Sequence, residues 1–139
     1  MSPFQVVDHT ADIAVVIEGD NEEQLLREGT RVVFFLLTDS DPGRGRVQRT
    51  VKKRVKLEYR SFEELFIDFL NRLLSLADIY GLLPVGVAPK IKKNRAVITV
   101  RFIHAGPCQL TREIKAATHH NYSVERGPNG LLTKITFDV

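Results

Sequence analysis

Apolar residues recur at helical spacing in two stretches of the 139-residue chain and at alternate positions through most of the remainder. From Phe62 to Ile79, the positions Phe62, Leu65, Phe66, Phe69, Leu70, Leu73, Leu74 and Ala77 form one continuous stripe. Ser61 and Glu64 precede it at capping-box spacing and Gly81 follows as a stop, so this stretch is predicted to be a helix with its stripe against a core. Another helix is predicted to start after Asp20 or Asn21. Glu22 and Glu23 suit its positive end, and Leu25, Leu26, Val33, Leu36 and Leu37 face inward. Gly29 and the β-branched pair Val32-Val33 weigh against that helix.

Strands are expected over Phe4 to Val7, Asp12 to Glu18, about Val47 to Tyr59, Val85 to Lys92, Ala96 to His104, part of Glu113 to Glu125, and Leu131 to Asp138. Val55, Leu57 and Tyr59 alternate with Lys56 and Glu58, and Ile98, Val100 and Phe102 alternate with Thr99 and Arg101, which gives each strand one buried face. Lys93-Asn94 predicts a tight hairpin, and Gly127-Pro128-Asn129-Gly130 is a strong turn signal, so the C-terminal half reads as a meander. The order of elements predicts an α+β fold, two helices packed on a largely antiparallel or mixed β-sheet in a single domain spanning 1–139.

Composition changes this picture little. With 43% hydrophobic and 27% charged residues the chain can bury a core and is far from the signature of disorder. Its longest apolar run, Val32 to Leu37, is too short to span a bilayer, and no secretory leader is expected. Cys108 is the sole cysteine, which excludes an internal disulfide and a four-thiolate zinc site and points to a reducing, cytoplasmic setting. Net charge is only +3, yet Arg44, Arg46, Arg49, Lys52, Lys53, Arg54, Lys56 and Arg60 crowd one stretch. Such a run either protects a sheet edge or meets a polyanion.

P-loop, dinucleotide fingerprint, H-E-x-x-H and G-x-S-x-G patterns are missing from the sequence. Candidate chemistry lies instead in three polar places. Asp12, in Asp8-His9-Thr10-Ala11-Asp12, is ill suited to the strand it opens and could simply shape an entry turn. At the other end, an ordered tail would set the Asp138 side chain near the terminal carboxylate of Val139. That concentration of negative charge suits a hard cation such as calcium, magnesium or manganese, unless the tail is merely solvated. Finally, Lys115-Ala116-Ala117-Thr118-His119-His120 places small residues between a lysine and two histidines. On a strand the histidines point to opposite faces and would not share a metal; one could donate a proton or touch a phosphate, with Lys115 as a point charge, or all could be surface polar groups.

Together, His9-Thr10-Ala11-Asp12-Ile13, Lys115-Ala116-Ala117-Thr118-His119-His120 and the closing Phe137-Asp138-Val139 resemble the archease family, over essentially the whole length. The resemblance implies a divalent metal, usually calcium, held by Asp12, Asp138 and Val139. It implies an accessory protein, not a catalyst: a partner of the RtcB-type RNA ligase of tRNA splicing that promotes guanylylation and multiple turnover. It also implies a link to a tRNA methyltransferase, as chaperone or modulator, so that tRNA is met indirectly. His9, Lys115 and His120 become candidate contacts for a partner. In one departure, His119 stands where the family motif has tyrosine, leaving His120 as the match to the motif histidine. Two rivals remain: a direct RNA-binding module using the Arg44 to Arg60 segment, and a metal-dependent hydrolase whose carboxylates activate water.

Overall fold

The computed structural model describes residues 3–8, 12–42, 49–107 and 109–139. Strand β1 (Phe4–Asp8) pairs with β2 (Asp12–Gly19), and helix α1 (Glu22–Thr38) follows. Next come β3 (Val51–Glu58), α2 (Phe62–Tyr80), the hairpin of β4 (Leu82–Lys92) and β5 (Arg95–His104), and that of β6 (Ala116–Gly127) and β7 (Gly130–Asp138). The fold is α+β as expected, and every strand pairing is antiparallel. The strands divide between two sheets, one ordered β1-β2-β7-β6 and the other β3-β5-β4. The chain between β5 and β6 therefore crosses from one sheet to the other, and the expected meander becomes two hairpins in different sheets.

Both helices form where the pattern places them. Asn21 caps α1 by accepting from the Gln24 amide at 2.9 Å, and Ser61 caps α2 by accepting from the Glu64 amide at 3.2 Å. Gly81, at φ 66°, ends α2 by donating its amide to the Ala77 carbonyl. Each helix touches strands of both sheets: α1 packs on β2 and β4, and α2 on β3, β4 and β6. Burial is accordingly wider than one stripe, including Val32 and Phe34 on α1 and Ile67 on α2. Gly29, unfavourable for a helix in isolation, sits where the helices cross. A Cβ there would lie 2.9 Å from Phe66 Cε1 and 3.0 Å from Leu70 Cδ2, so the close approach of α1 to α2 requires glycine.

Most strand boundaries fall within a residue of expectation, and the starts of β3 and β4 move further. β3 begins at Val51, with Arg49 and Thr50 outside it; Val47, Arg44 and Arg46 fall outside the described residues, as does Cys108. β4 begins at Leu82, directly after the α2 cap, because a register shift between Pro84 and Gly86 breaks the alternation that marks a strand. Its two prolines are tolerated because β4 is an edge. β6 starts at Ala116, leaving Glu113 to Lys115 in the connection. Among the described residues, no helix is long and apolar enough to cross a membrane.

Candidate functional site

β2 and β7 are neighbours, with Asp12 opposite Asp138, Ile13 opposite Phe137 and Ala14 opposite Thr136. β6 lies on the far side of β7, with Ala116 opposite Asp138 and Thr118 opposite Thr136. β2 and the β6-β7 hairpin, from opposite ends of the sequence, thus bring Asp12, Asp138 and Ala116 into one row at an end of the sheet. Phe137 and Ile135, both fully buried, turn the alternate face of β7 into the core, which leaves Asp138 outward and exposed; Asp12 beside it is half-buried. Directly opposed residues of an antiparallel pair hold their Cβ atoms about 4.5–5.5 Å apart, where like charges repel. Among the described residues neither carboxylate has a hydrogen-bond or ion-pair partner to offset that repulsion.

Lys115 joins this end through its backbone, its amide donating to the Asp138 carbonyl at 2.8 Å. Val139 follows Asp138 and is exposed. His120 is not in the row. It lies in the register break between Thr118 and Ser123, exposed, its Nε2 3.3 Å from the Asn121 side-chain amide. The regular strand on which the two histidines were expected to alternate is interrupted there, with Asn121 at φ 50°. His9 lies outside the described residues.

The donors available to a cation in this row are carboxylate, carbonyl and hydroxyl oxygens, the set that suits calcium, magnesium or manganese and not zinc. Thr118 adds an observation in the same sense. Strand alternation puts it on the face of Ala116 and Asp138, and its Oγ1 is buried without a hydrogen-bond partner, a state that costs free energy in an apolar setting. Among the described residues no three His, Cys, Asp or Glu side chains gather to hold a metal ion. The third donor expected here is the backbone or terminal carboxylate of Val139, which lies outside that set of side chains.

Sequence reasoning missed the residues that hold this end in place. Asn71 of α2 reaches the free edge of β6, where its Oδ1 accepts from the Ala117 amide at 2.7 Å and its Nδ2 donates to the Ala117 carbonyl at 3.1 Å. One side chain thereby supplies both bonds of a missing neighbouring strand, next to Ala116. The available signal was spacing: Ile67 is fully buried and Asn71 follows it by four residues, on the same side of α2. In the connection that leads to Lys115, the Thr111 amide donates to the Leu37 carbonyl at 2.8 Å, and Arg112 Nη1 donates to the Leu36 carbonyl at 2.6 Å. α1 has no basic residue in its own last turn, so Arg112 supplies the positive charge that favours a helix C-terminus. Asp39 closes the clasp. A hydrogen bond from Thr111 and the Arg112 guanidinium together hold its carboxyl below the usual 3.8 against a smaller opposing effect of burial.

A second polar group surrounds the register break of β6. The Tyr122 hydroxyl donates to the Glu63 carbonyl at 2.8 Å, and burial, with Glu63 and Asp68 nearby, pushes its pKa up. His119 stands edge-on to the Tyr122 ring at 6.2 Å. Asp68 on α2 is raised by burial and by Glu64, partly offset by His119 and Arg72. His119 therefore lies against Tyr122 at the surface.

The class defined by these features is a small two-sheet α+β protein with an oxygen-rich acidic row where its first and last regions meet. The chain belongs to the archease family: the Archease protein family (MTH1598/TM1083) matches residues 4–139. It is 33% identical over 134 residues to protein archease of Thermotoga maritima, covering 95% of this chain and 96% of that one. It is 32% identical over 130 residues to protein archease of Methanopyrus kandleri, covering 89% and 90%. The fold superposes on the crystal structure of an archease, possible chaperone, from Thermotoga maritima with a TM-score of 0.67 and 30% identity, over 97% and 96% of the two chains. The solution structure of protein 1598 from Methanobacterium thermoautotrophicum, at 19% identity, shares the fold with a TM-score of 0.76 over the full length of both chains.

Proposed function

We propose that this chain is a metal-binding accessory protein that activates an RtcB-type RNA ligase in tRNA splicing, promoting its guanylylation and multiple turnover while catalysing no step itself. The observation that carries the reading is the pairing of Asp12 with Asp138, two carboxylates with no described cationic partner on a row that Lys115 joins. Family membership supports the choice of client. Asp12 and Asp138 would supply carboxylate oxygens and Val139 its backbone or terminal carboxylate. Calcium is the preferred ion, with magnesium or manganese compatible with the same donors. A bound ion supplies a concentrated positive charge that neutralises the facing carboxylates. Lys115, whose backbone joins the row, would offer its ammonium to anionic groups of the ligase or its nucleotide. His9 and His120 are proposed as further contacts with the partner from the segments that flank the row.

Multiple-turnover RNA ligation by the partner ligase, with and without this chain at limiting calcium, tests the proposal. Stimulation is expected from the wild type and is expected to be lost in Asp12→Ala and Asp138→Ala. Full stimulation by both variants would overturn it. A second role, as chaperone or modulator of a tRNA methyltransferase, draws support from the Thermotoga maritima relative, which is described as a possible chaperone. Suppression of methyltransferase aggregation by the wild type, retained in Asp12→Ala, would separate that role from the metal-dependent one.

A further inference from the structure

The outer face of the β3-β5-β4 sheet carries charge of the opposite sign. β3 contributes Lys52, Arg54 and Lys56, all exposed, with the buried Val55 between the last two. β5 adds Arg95 and Arg101, and β4 adds Lys90 and Lys92. Register aligns them across the sheet: Lys52 lies opposite Arg101, Lys56 and Lys90 flank Val97, and Arg95 lies opposite Lys92. Glu58, opposite Arg95, is the acid among them. Val97 and Thr99 form a low floor between the basic rows, and a trough of about 770 Å³ opens over it, walled by Arg54, Lys56, Lys90, Lys92 and Arg95 with Glu58 among them. Gly86 leaves room for Arg101 to lie across β4, since a Cβ at that position would collide with the guanidinium. Among the described residues none of these bases is held in an ion pair.

Edge protection accounts for charge on β3 and β4, which are the sheet edges. It does not account for Arg95 and Arg101, because β5 is the central strand. The geometry points to this face as a docking surface for the phosphate backbone of helical RNA. Bases two residues apart on a strand recur about every 6.6–6.8 Å, and β3 and β4 stand about 9–10 Å apart across β5. Such an array matches a partner whose negative charges are repeated and spread, not a single phosphate. Among the described residues the face holds no aromatic side chain on which unpaired bases could stack, so recognition runs through the backbone. A membrane would call for exposed large apolar side chains beside the bases. Among the described residues, the large apolar side chains that are exposed, Ile79, Tyr80, Leu110 and Val139, all lie off this face. A protein interface would centre on aromatic or aliphatic anchors and would be poor in lysine, whereas lysine supplies four of these seven bases.

The choice of RNA over DNA rests on the ligase reading above; the docking itself does not. Fluorescence anisotropy of the whole chain with a labelled RNA hairpin, repeated over a salt series, tests it. Saturable binding at physiological salt is expected. In Lys90→Glu/Arg95→Glu the affinity falls by at least about tenfold, and the slope of log affinity against log salt drops by about 1–2. The matched reversal Lys134→Glu/Arg72→Glu, off this face, changes affinity by less than about threefold. If charge reversal lowers the thermal midpoint, Lys90→Gln/Arg95→Gln replaces it, with the same slope change expected. Absence of saturable RNA binding, equal losses in the two double variants, or tighter binding to phosphatidylserine vesicles or polyglutamate than to the hairpin would overturn the proposal. Duplex DNA bound as tightly as RNA would overturn the assignment to RNA. Ligase stimulation that persists without RNA binding would remove this proposal and leave the ligase reading standing.

Discussion

One end of the four-stranded sheet and the outer face of the three-stranded sheet present opposite charges, arranged in different ways. On the four-stranded sheet the negative charge is concentrated where Asp12 faces Asp138, at the end of strands that also carry Phe137 and Ile135 into the core. On the three-stranded sheet the positive charge is spread over β3, β5 and β4, several strand residues from end to end. A concentrated pair of like charges favours a compact counter-ion that both can share, whereas a dispersed array favours an extended partner that many weak contacts can hold. The acidic row also depends on assembly in a way the basic face does not. It exists only when β2, β7 and β6 are in register, while single bases on β3 or β4 keep their charge whatever their neighbours do.

That dependence makes the acidic row the easier of the two to break. The largest effect is expected from Phe137→Ala, which empties a fully buried aromatic site one residue before Asp138. It should cost about 3–5 kcal/mol of stability. Urea unfolding reads the loss, and cation affinity should fall with it; unchanged stability would show that β7 is not the anchor of the row. Asn71→Ala comes next. It strips both hydrogen bonds from Ala117 and leaves partly buried backbone groups unsatisfied, at about 1–3 kcal/mol. Amide exchange at Ala117 should accelerate and cation binding weaken, while RNA binding by the basic face should stay at the wild-type level. A variant that weakened both equally would blur the distinction between the two surfaces.

The smallest effect concerns pH. Asp39 is held below its ordinary 3.8 by Thr111 and Arg112, so the clasp it closes stabilises the fold above that value and is lost as pH falls through the lowered one. Asp68 is raised, so its contribution has the other sign: present below 3.8 and lost as pH rises through the raised value. Asp39→Asn should therefore flatten the fall in thermal midpoint below about pH 4, and Asp68→Asn should remove a fall above it. Thermal melts over that range check both signs. Because Asp39 is exposed, solvent screening keeps its part small.

Helices and most strands were legible because burial imposes a period on the sequence, and the five residues expected to face inward on α1 are all buried. The division into two sheets was not legible. Alternation says which face of a strand is buried and says nothing of which strand lies alongside. Gly29 counted against α1 on propensity alone, since its reason lies in Phe66 and Leu70 of another helix. At the candidate site, Asp12 and Asp138 were singled out by motif, and their pairing is a fact of register that no local pattern encodes. Asn71 escaped notice because a single amide within an apolar helix reads as solvent exposure until the strand edge it serves is in view. The basic segment was seen only in part for the same reason, because Lys90, Lys92, Arg95 and Arg101 reach β3 through pairing alone.

Calcium titration by calorimetry, on the wild type and on Asp12→Asn, Asp138→Asn and the double variant, tests the central claim most directly. The account predicts saturable binding by the wild type at one site, loss in each variant, and a metal-free stability for the single variants raised by about 0.2–1 kcal/mol as the facing charges are relieved. Calcium, magnesium and manganese that all fail to bind the wild type, or calcium binding undiminished in the double variant, would contradict it.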